Sequence, residues 1–265
     1  MFFKPKPLIE KQPLRVFLLF SNGLSASNYL FSELEKDAKL AERIDIVGAL
    51  TNNNRAQAIN ALAIRRIDCR VMDETTFIKK KALGEKNAEV EYLKKIRETI
   101  AEFSPDVLLS DGFTIESRLL SNIFSLPVVE SVLATIEGKG IITFFGENAV
   151  RNAILSSRRE LQAGAFLTLK NKIHLVALSR KLPLDLKRLS EIRDSDEFEK
   201  YVGVFGEKFS WSCSGPVALQ ALKLLADGRV GIKGKKLYIR EDNEWLHGFY
   251  NLTTECVQTY YGLRA

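Results

Sequence analysis

Three groups of side chains in this sequence could do chemistry, and each follows a short apolar run. Ser21-Asn22-Gly23-Leu24-Ser25 follows Leu14–Phe20, Asp111-Gly112-Phe113-Thr114 follows Val107-Leu108-Leu109, and Glu130 follows Leu126–Val129. A turn of small residues entering a helix leaves backbone N–H groups free at the positive helix end, where an anionic ligand such as a phosphate is favoured. The same turn serves equally as a plain connection, with Ser25 or Ser27 as N-cap. Gly23 belongs to neither a GxGxxG nor a GxxxxGK[ST] pattern, so no nucleotide fingerprint is present. Asp111 could hold a ligand amine or cap the helix after it. Glu130 could work as an acid or base at the mouth of a sheet, or be a solvated, ion-paired glutamate. His174 and His247 are the chain's two histidines. The first lies in an apolar strand pattern between Ile173 and Leu175, as structural histidines do, and the second lies near Trp245.

These residues need elements to position them. Leu14–Phe20 is apolar except for Arg15, short and rich in β-formers, the pattern of a strand covered on both faces. Tyr29, Leu30, Phe31 and Leu34 give the following helix its apolar stripe. Further strands are expected at Ile44–Thr51, Asp68–Val71, Val107–Leu109 and Leu126–Val129. Helices are expected at Ala56–Ile64, Ala88–Phe103 and Glu116–Ile123. Strands alternating with helices predict an α/β fold, a doubly wound, mostly parallel sheet flanked by helices. Ligands of such sheets sit at the carboxyl ends of the strands, so the turns near Gly23, Asn53 and Gly112 should converge on one crevice. Later in the chain, helices are expected at Glu147–Leu161 and Pro216–Ala226, a charged helix or helix-loop at Leu186–Tyr201, and strands at Ala165–Leu169 and Ile173–Leu178. Arg229–Ile232 and Lys236–Ile239 read as a hairpin turning at Gly234. Residues 1–13 read as a flexible or surface-laid leader, 14–240 as the α/β domain, and 241–265 as an aromatic-rich helical tail that packs on the domain or on a second copy as a homodimer.

Composition narrows the function. The 265 residues are 46% hydrophobic and 27% charged, with a net charge of +6 that favours a small anionic molecule as partner. Basic and aromatic residues are not interleaved, so nucleic acid rests on net charge alone. The Lys79-Lys80-Lys81 cluster reads as a solvated loop. Three scattered cysteines and two histidines give no metal-ligand spacing and no disulfide framework. With no signal peptide and no membrane-spanning run in the sequence, a cytoplasmic protein is expected.

The order of segments resembles the formyltransferases that use 10-formyltetrahydrofolate, nearest to glycinamide ribonucleotide transformylase, over roughly Leu14 to Ile239. Ser21-Asn22-Gly23-Leu24-Ser25 resembles the turn that holds the substrate phosphate. Ala49-Leu50-Thr51-Asn52-Asn53 is similar to a strand end of that family. The run from Ser104 to Phe113 resembles its Pro-Asp, apolar strand and Gly-aromatic turn, which implies a folate pocket at Asp111, Gly112, Phe113 and Thr114. Asn148–Ile154 resembles the helix after the catalytic loop, and Ala226–Val230 a common ending of these transferases. The resemblance implies formyl transfer to an amine of a small phosphorylated substrate, as in purine biosynthesis, with the reduced folate as donor and no metal. The family works with an asparagine and a histidine in an Asn-x-His-Pro segment and with an aspartate. Here those catalytic positions read Glu130, Val132 and Asn171. A valine neither donates a hydrogen bond nor carries a proton, and an amide does not replace a carboxylate. The alternative is therefore a relative that kept the fold, and a ligand or partner, without the catalysis.

Overall fold

A computed structural model describes residues 4–73, 85–137, 140–144, 148–156 and 159–259. Its organising element is β2, Leu14–Phe20. Leu14, Val16, Leu18 and Phe20 turn to one face and Phe17 and Leu19 to the other, all fully buried. Each such side chain contributes about 1.5–3 kcal/mol on burial, so two covered faces make this strand the firmest part of the sheet. Arg15, the one charge in the run, sits at the amino end, with its guanidinium donating to the carbonyls of Phe103 and Ser104.

On one side of β2, parallel strands β3 (Ile44–Thr51) and β4 (Cys69–Val71) run out to an edge. On the other side follow β5 (Val107–Asp111) and β6 (Val128–Glu137), also parallel. Beyond β6 the direction changes. The strands β8 (Glu160–Leu169) and β9 (Lys172–Leu178) run antiparallel, with β7 (Gly140–Phe144) hairpinned onto β6 and β10 (Leu182–Pro183) on β8. Helices α1 (Ser25–Lys36) and α9 (Gly215–Ala226) pack together on one face of this sheet. Helices α4 (Glu85–Ala101) and α5 (Ser117–Phe124) cover the other face through Tyr92, Ile96, Ile100 and Leu120. Short helices α2 (Ala38–Ala41), α3 (Ala58–Ile64), α6 (Ala149–Leu155) and α7 (Leu186–Ile192) complete the layers with α8 (Glu197–Phe209). The expected doubly wound sheet is therefore present, with antiparallel strands added beyond β6.

The structure corrects several boundaries. Over Leu186–Tyr201 the helix is broken: α7 ends at Ile192 and α8 begins at Glu197. The helix expected over Glu147–Leu161 stops at Leu155, and Leu161 is already paired in β8. The helix expected to open at Pro216 is continuous with α8 through a π-helical turn, Ser210–Ser214. Pro216, which has no N–H to donate, falls in the first turn after it. Gly215 there is forced by close approach, because a Cβ would stand 2.3 Å from that of Tyr29. Through Thr259 the tail is not helical. Glu244–Leu246 (β13), Gly248–Asn251 (β14) and Cys256–Thr259 (β15) are strands, as aromatic and β-branched residues favour. A second, antiparallel sheet runs β1 (Lys6–Pro7), β11 (Val230–Lys233), β12 (Lys236–Glu241), β13, while β14 and β15 extend the large sheet beyond β9. The leader is pinned through β1 and through Gln12 Nε2, which donates to the Ala226 carbonyl. The Lys79 cluster, Tyr260 and Tyr261 lie outside the described residues.

Candidate functional site at the carboxyl ends of the strands

The three turns expected to converge do so, and hydrogen bonds join them pairwise. Asn53 Nδ2 donates to Asn22 Oδ1 at 2.7 Å, linking the turns after β3 and β2. Asn52 Nδ2 donates to Thr114 Oγ1, linking the turns after β3 and β5. Ser25 Oγ donates to Asp111 Oδ1 at 2.8 Å, linking the turns after β2 and β5. Asn53 fixes its own turn by accepting from the Arg55 N–H at 2.9 Å. Above this triangle is open space: a Cβ added at exposed Gly23 or Gly112 would meet nothing within 4 Å. Gly112 has φ +73°, which favours glycine where the chain leaves β5. Ser21 Oγ and Asn52 Oδ1 are buried at this rim without a hydrogen-bond partner among the described residues. The rim offers amide and hydroxyl groups.

Asp111 does something the sequence did not disclose. Helix α1 has Leu24 at its N-cap, and that side chain offers no hydrogen bond. Asp111 caps this upstream helix, and not the helix after it. Its Oδ1 accepts from Ser25 Oγ at 2.8 Å and the Ala26 N–H at 3.2 Å, and its Oδ2 from the Ser27 N–H and Ser27 Oγ, both at 2.8 Å. A carboxylate has about four acceptor positions, and all are used. Asp111 therefore has none left for a ligand amine, and the expected N-cap serines are instead donors to it. Phe113, expected in the pocket, is 7% exposed and turns into the core beside α4 and α5.

The expected catalytic residues are not brought together. Glu130 lies on β6 opposite Ser110 of β5 and accepts from Ser117 Oγ, at the start of α5, at 2.7 Å. Burial raises its carboxyl pKa, and the Ser117 bond partly offsets that. Val132 is inside β6, paired opposite Gly164 and 5% exposed. A strand thus runs on where the resemblance implies a catalytic loop. Asn171, expected at the position of the catalytic aspartate, stands elsewhere. It forms the β8–β9 turn with Lys170, both at positive φ, and accepts from Asn122 Nδ2 of α5. Thr168 already pairs with Val128, the first residue of β6, so this turn lies at the amino ends of the parallel strands, away from the crevice. Both histidines are set apart from it too. His174 pairs with Leu167 on β9, with β8 and β6 between it and β5. His247 lies between β13 and β14 with its ring 5.5 Å from Tyr238. Burial lowers the pKa of each, and Lys172 and His247 lower that of His174 further. Ser117 was missed because a serine at a helix start gives no sign of the glutamate it will meet.

No group of three or more metal-ligating side chains occurs among the described residues. No described helix is long and apolar enough to cross a membrane.

A doubly wound sheet with these three turns joined at its strand ends, continued by antiparallel strands, has the fold of solved formyltransferases. Over 90% of its length the chain superposes on the whole of the phosphoribosylglycinamide formyltransferase of Coxiella burnetii, with a TM-score of 0.62 at 13% identity. Glycinamide ribonucleotide transformylase 1 of Symbiobacterium toebii matches 88% of this chain over 96% of its own, with a TM-score of 0.59 at 12% identity. A formyltetrahydrofolate deformylase of Pseudomonas syringae pv. tomato matches 88% of this chain over 67% of its own, with a TM-score of 0.60 at 15% identity. No protein-family model and no curated protein sequence matches the chain. At these identities the likeness is one of fold.

Proposed function

We propose that this protein binds a small molecule in the crevice of a formyltransferase fold and does not transfer a formyl group. The observation that carries this is Val132. It stands paired inside a strand, where a proton-carrying side chain on a loop would be needed. Formyl transfer from a folate to an amine needs a donor aimed at the developing oxyanion and a group that moves a proton. Both histidines lie beyond β8, and Asn171 lies at the opposite end of the sheet. The ligand contacts proposed are Ser21, Asn22, Gly23, Asn52 and Thr114. The two unpartnered buried oxygens, Ser21 Oγ and Asn52 Oδ1, support a ligand that brings its own polar groups. The structural neighbours are named for formyl donors or acceptors, so 10-formyltetrahydrofolate is the first ligand to test. Calorimetric titration with it should give saturable binding that Asn52→Ala weakens. Incubation with glycinamide ribonucleotide, or with water alone, should leave the formyl group in place.

A second reading is favoured by Glu130. A carboxyl raised by burial near a crevice is the usual form of a general acid. Formyl transfer to the amine of a small phosphorylated substrate would then run through Glu130 by a different proton route. Turnover that Glu130→Gln abolishes would establish it and end the binding-only proposal.

A further inference from the structure

The amino end of α1 has the donors of an anion site: two successive backbone N–H groups, from Ala26 and Ser27, and the hydroxyls of Ser25 and Ser27. All four converge within 2.8–3.2 Å on one acceptor group. That acceptor is the side chain of Asp111, which is 6% exposed. It arrives from β5, where it stands opposite Phe20, the last residue of β2. Its two oxygens take two donors each, the arrangement that two oxygens of a bound phosphate would adopt. In the same turn Ser21, itself 7% exposed, keeps its Oγ without a partner among the described residues. We infer that Asp111 is a specificity-determining residue: an internal carboxylate that fills the anion position at α1 and bars phosphate groups from it.

Two effects combine in that exclusion. The donors are already committed, so an incoming phosphate would have to displace Asp111. A phosphate that stayed within about 4 Å of the carboxylate would meet a repulsion of roughly a thousandfold in affinity at the effective dielectric of a protein surface. A ligand of this crevice therefore presents uncharged hydrogen-bonding groups to the rim from Ser21 to Gly23. Formyl acceptors carrying a phosphate at that end are selected against. This holds for the α1 end whether or not the crevice binds a folate, and it is read by a different measurement.

The test is thermal unfolding in inorganic phosphate against chloride of equal ionic strength. Wild type should show no saturable, phosphate-specific rise in Tm. Asp111→Ala should lose about 10 °C or more, for four charge-assisted hydrogen bonds removed. It should then recover about 5 °C at a phosphate concentration a hundredfold above its Kd. Asp111→Ser, which puts a small hydroxyl in place of the carboxylate, should behave likewise and serves if the alanine variant does not fold. A phosphate-specific rise in wild type equal to that of the variants would overturn the inference, because the site would then be open already. No phosphate-specific rise in either variant would also overturn it, since the helix end would be a cap and nothing more. Folate titration of wild type reads the crevice independently of both outcomes.

Discussion

Glu130→Gln isolates one buried charge. The folded chain holds the Glu130 carboxyl at a raised pKa because burial disfavours its ionised form. Between its ordinary range and that raised value, the folded state therefore binds more protons than the unfolded state. Stability from this residue is consequently greatest in acid and falls as pH rises through that window. Glutamine is nearly isosteric, keeps an oxygen to accept from Ser117 Oγ and has no such pH dependence. Each tenfold difference in proton affinity between folded and unfolded chain is worth about 1.4 kcal/mol. In a chain of 265 residues, with an unfolding entropy of about 2 cal/mol/K per residue, that is about 2–3 °C in Tm. The assay is a Tm series on both proteins, run from about pH 4, the ordinary carboxylate range, upward into alkali. The curves should meet at the acid end, with the variant higher at the alkaline end by that amount for each tenfold difference. Ser117→Ala removes the hydroxyl that donates to the carboxylate, so it should widen the wild-type loss in alkali and leave the acid end almost unmoved. A constant offset between the wild-type and Glu130→Gln curves at every pH would refute the assignment of a burial-raised carboxyl.

Gly215→Ala should destabilise by about 1–3 kcal/mol, seen in denaturant midpoints, because its Cβ would meet Tyr29 at 2.3 Å. Gly112→Ala has room for its methyl group but not the backbone, with φ at +73°, so a cost of about 1 kcal/mol should appear in Tm. Asn171→Val should lose about 1–2 kcal/mol from its positive φ, whereas Asn171→Gly should be close to neutral, and neither should alter ligand titrations in the crevice. Asn53→Ala should cut the bond to Asn22 and weaken any crevice ligand by several-fold while shifting Tm little, since both side chains lie at the rim.

The parallel half of the fold was legible because its strands are short apolar runs covered on both faces, and nothing but a doubly wound sheet buries them all. The crevice followed from topology alone: the ends of β2, β3 and β5 must lie side by side once their order is set. What could not be read was the partner of each polar side chain. Asp111 and the serines of α1 are separated by more than 80 residues, and their pairing is a product of strand register. The tail was misjudged because Trp245, Phe249 and Tyr250 suit an apolar helix face as well as a strand, and only the free edge of β9 decides between them. Asn171 was aligned by order of segments, but a tight β8–β9 turn carries it to the other end of the sheet.

The path from Glu244 to Asn251 has a consequence for how the molecule comes apart. Within eight residues it leaves β12 of the small sheet and docks beside β9 of the large one. Each sheet therefore takes a strand from the same short piece of chain. A nick after Glu241 would strip both rims at once, so the two sheets should melt in one concerted transition, and limited proteolysis should release no stable fragment that keeps either sheet whole.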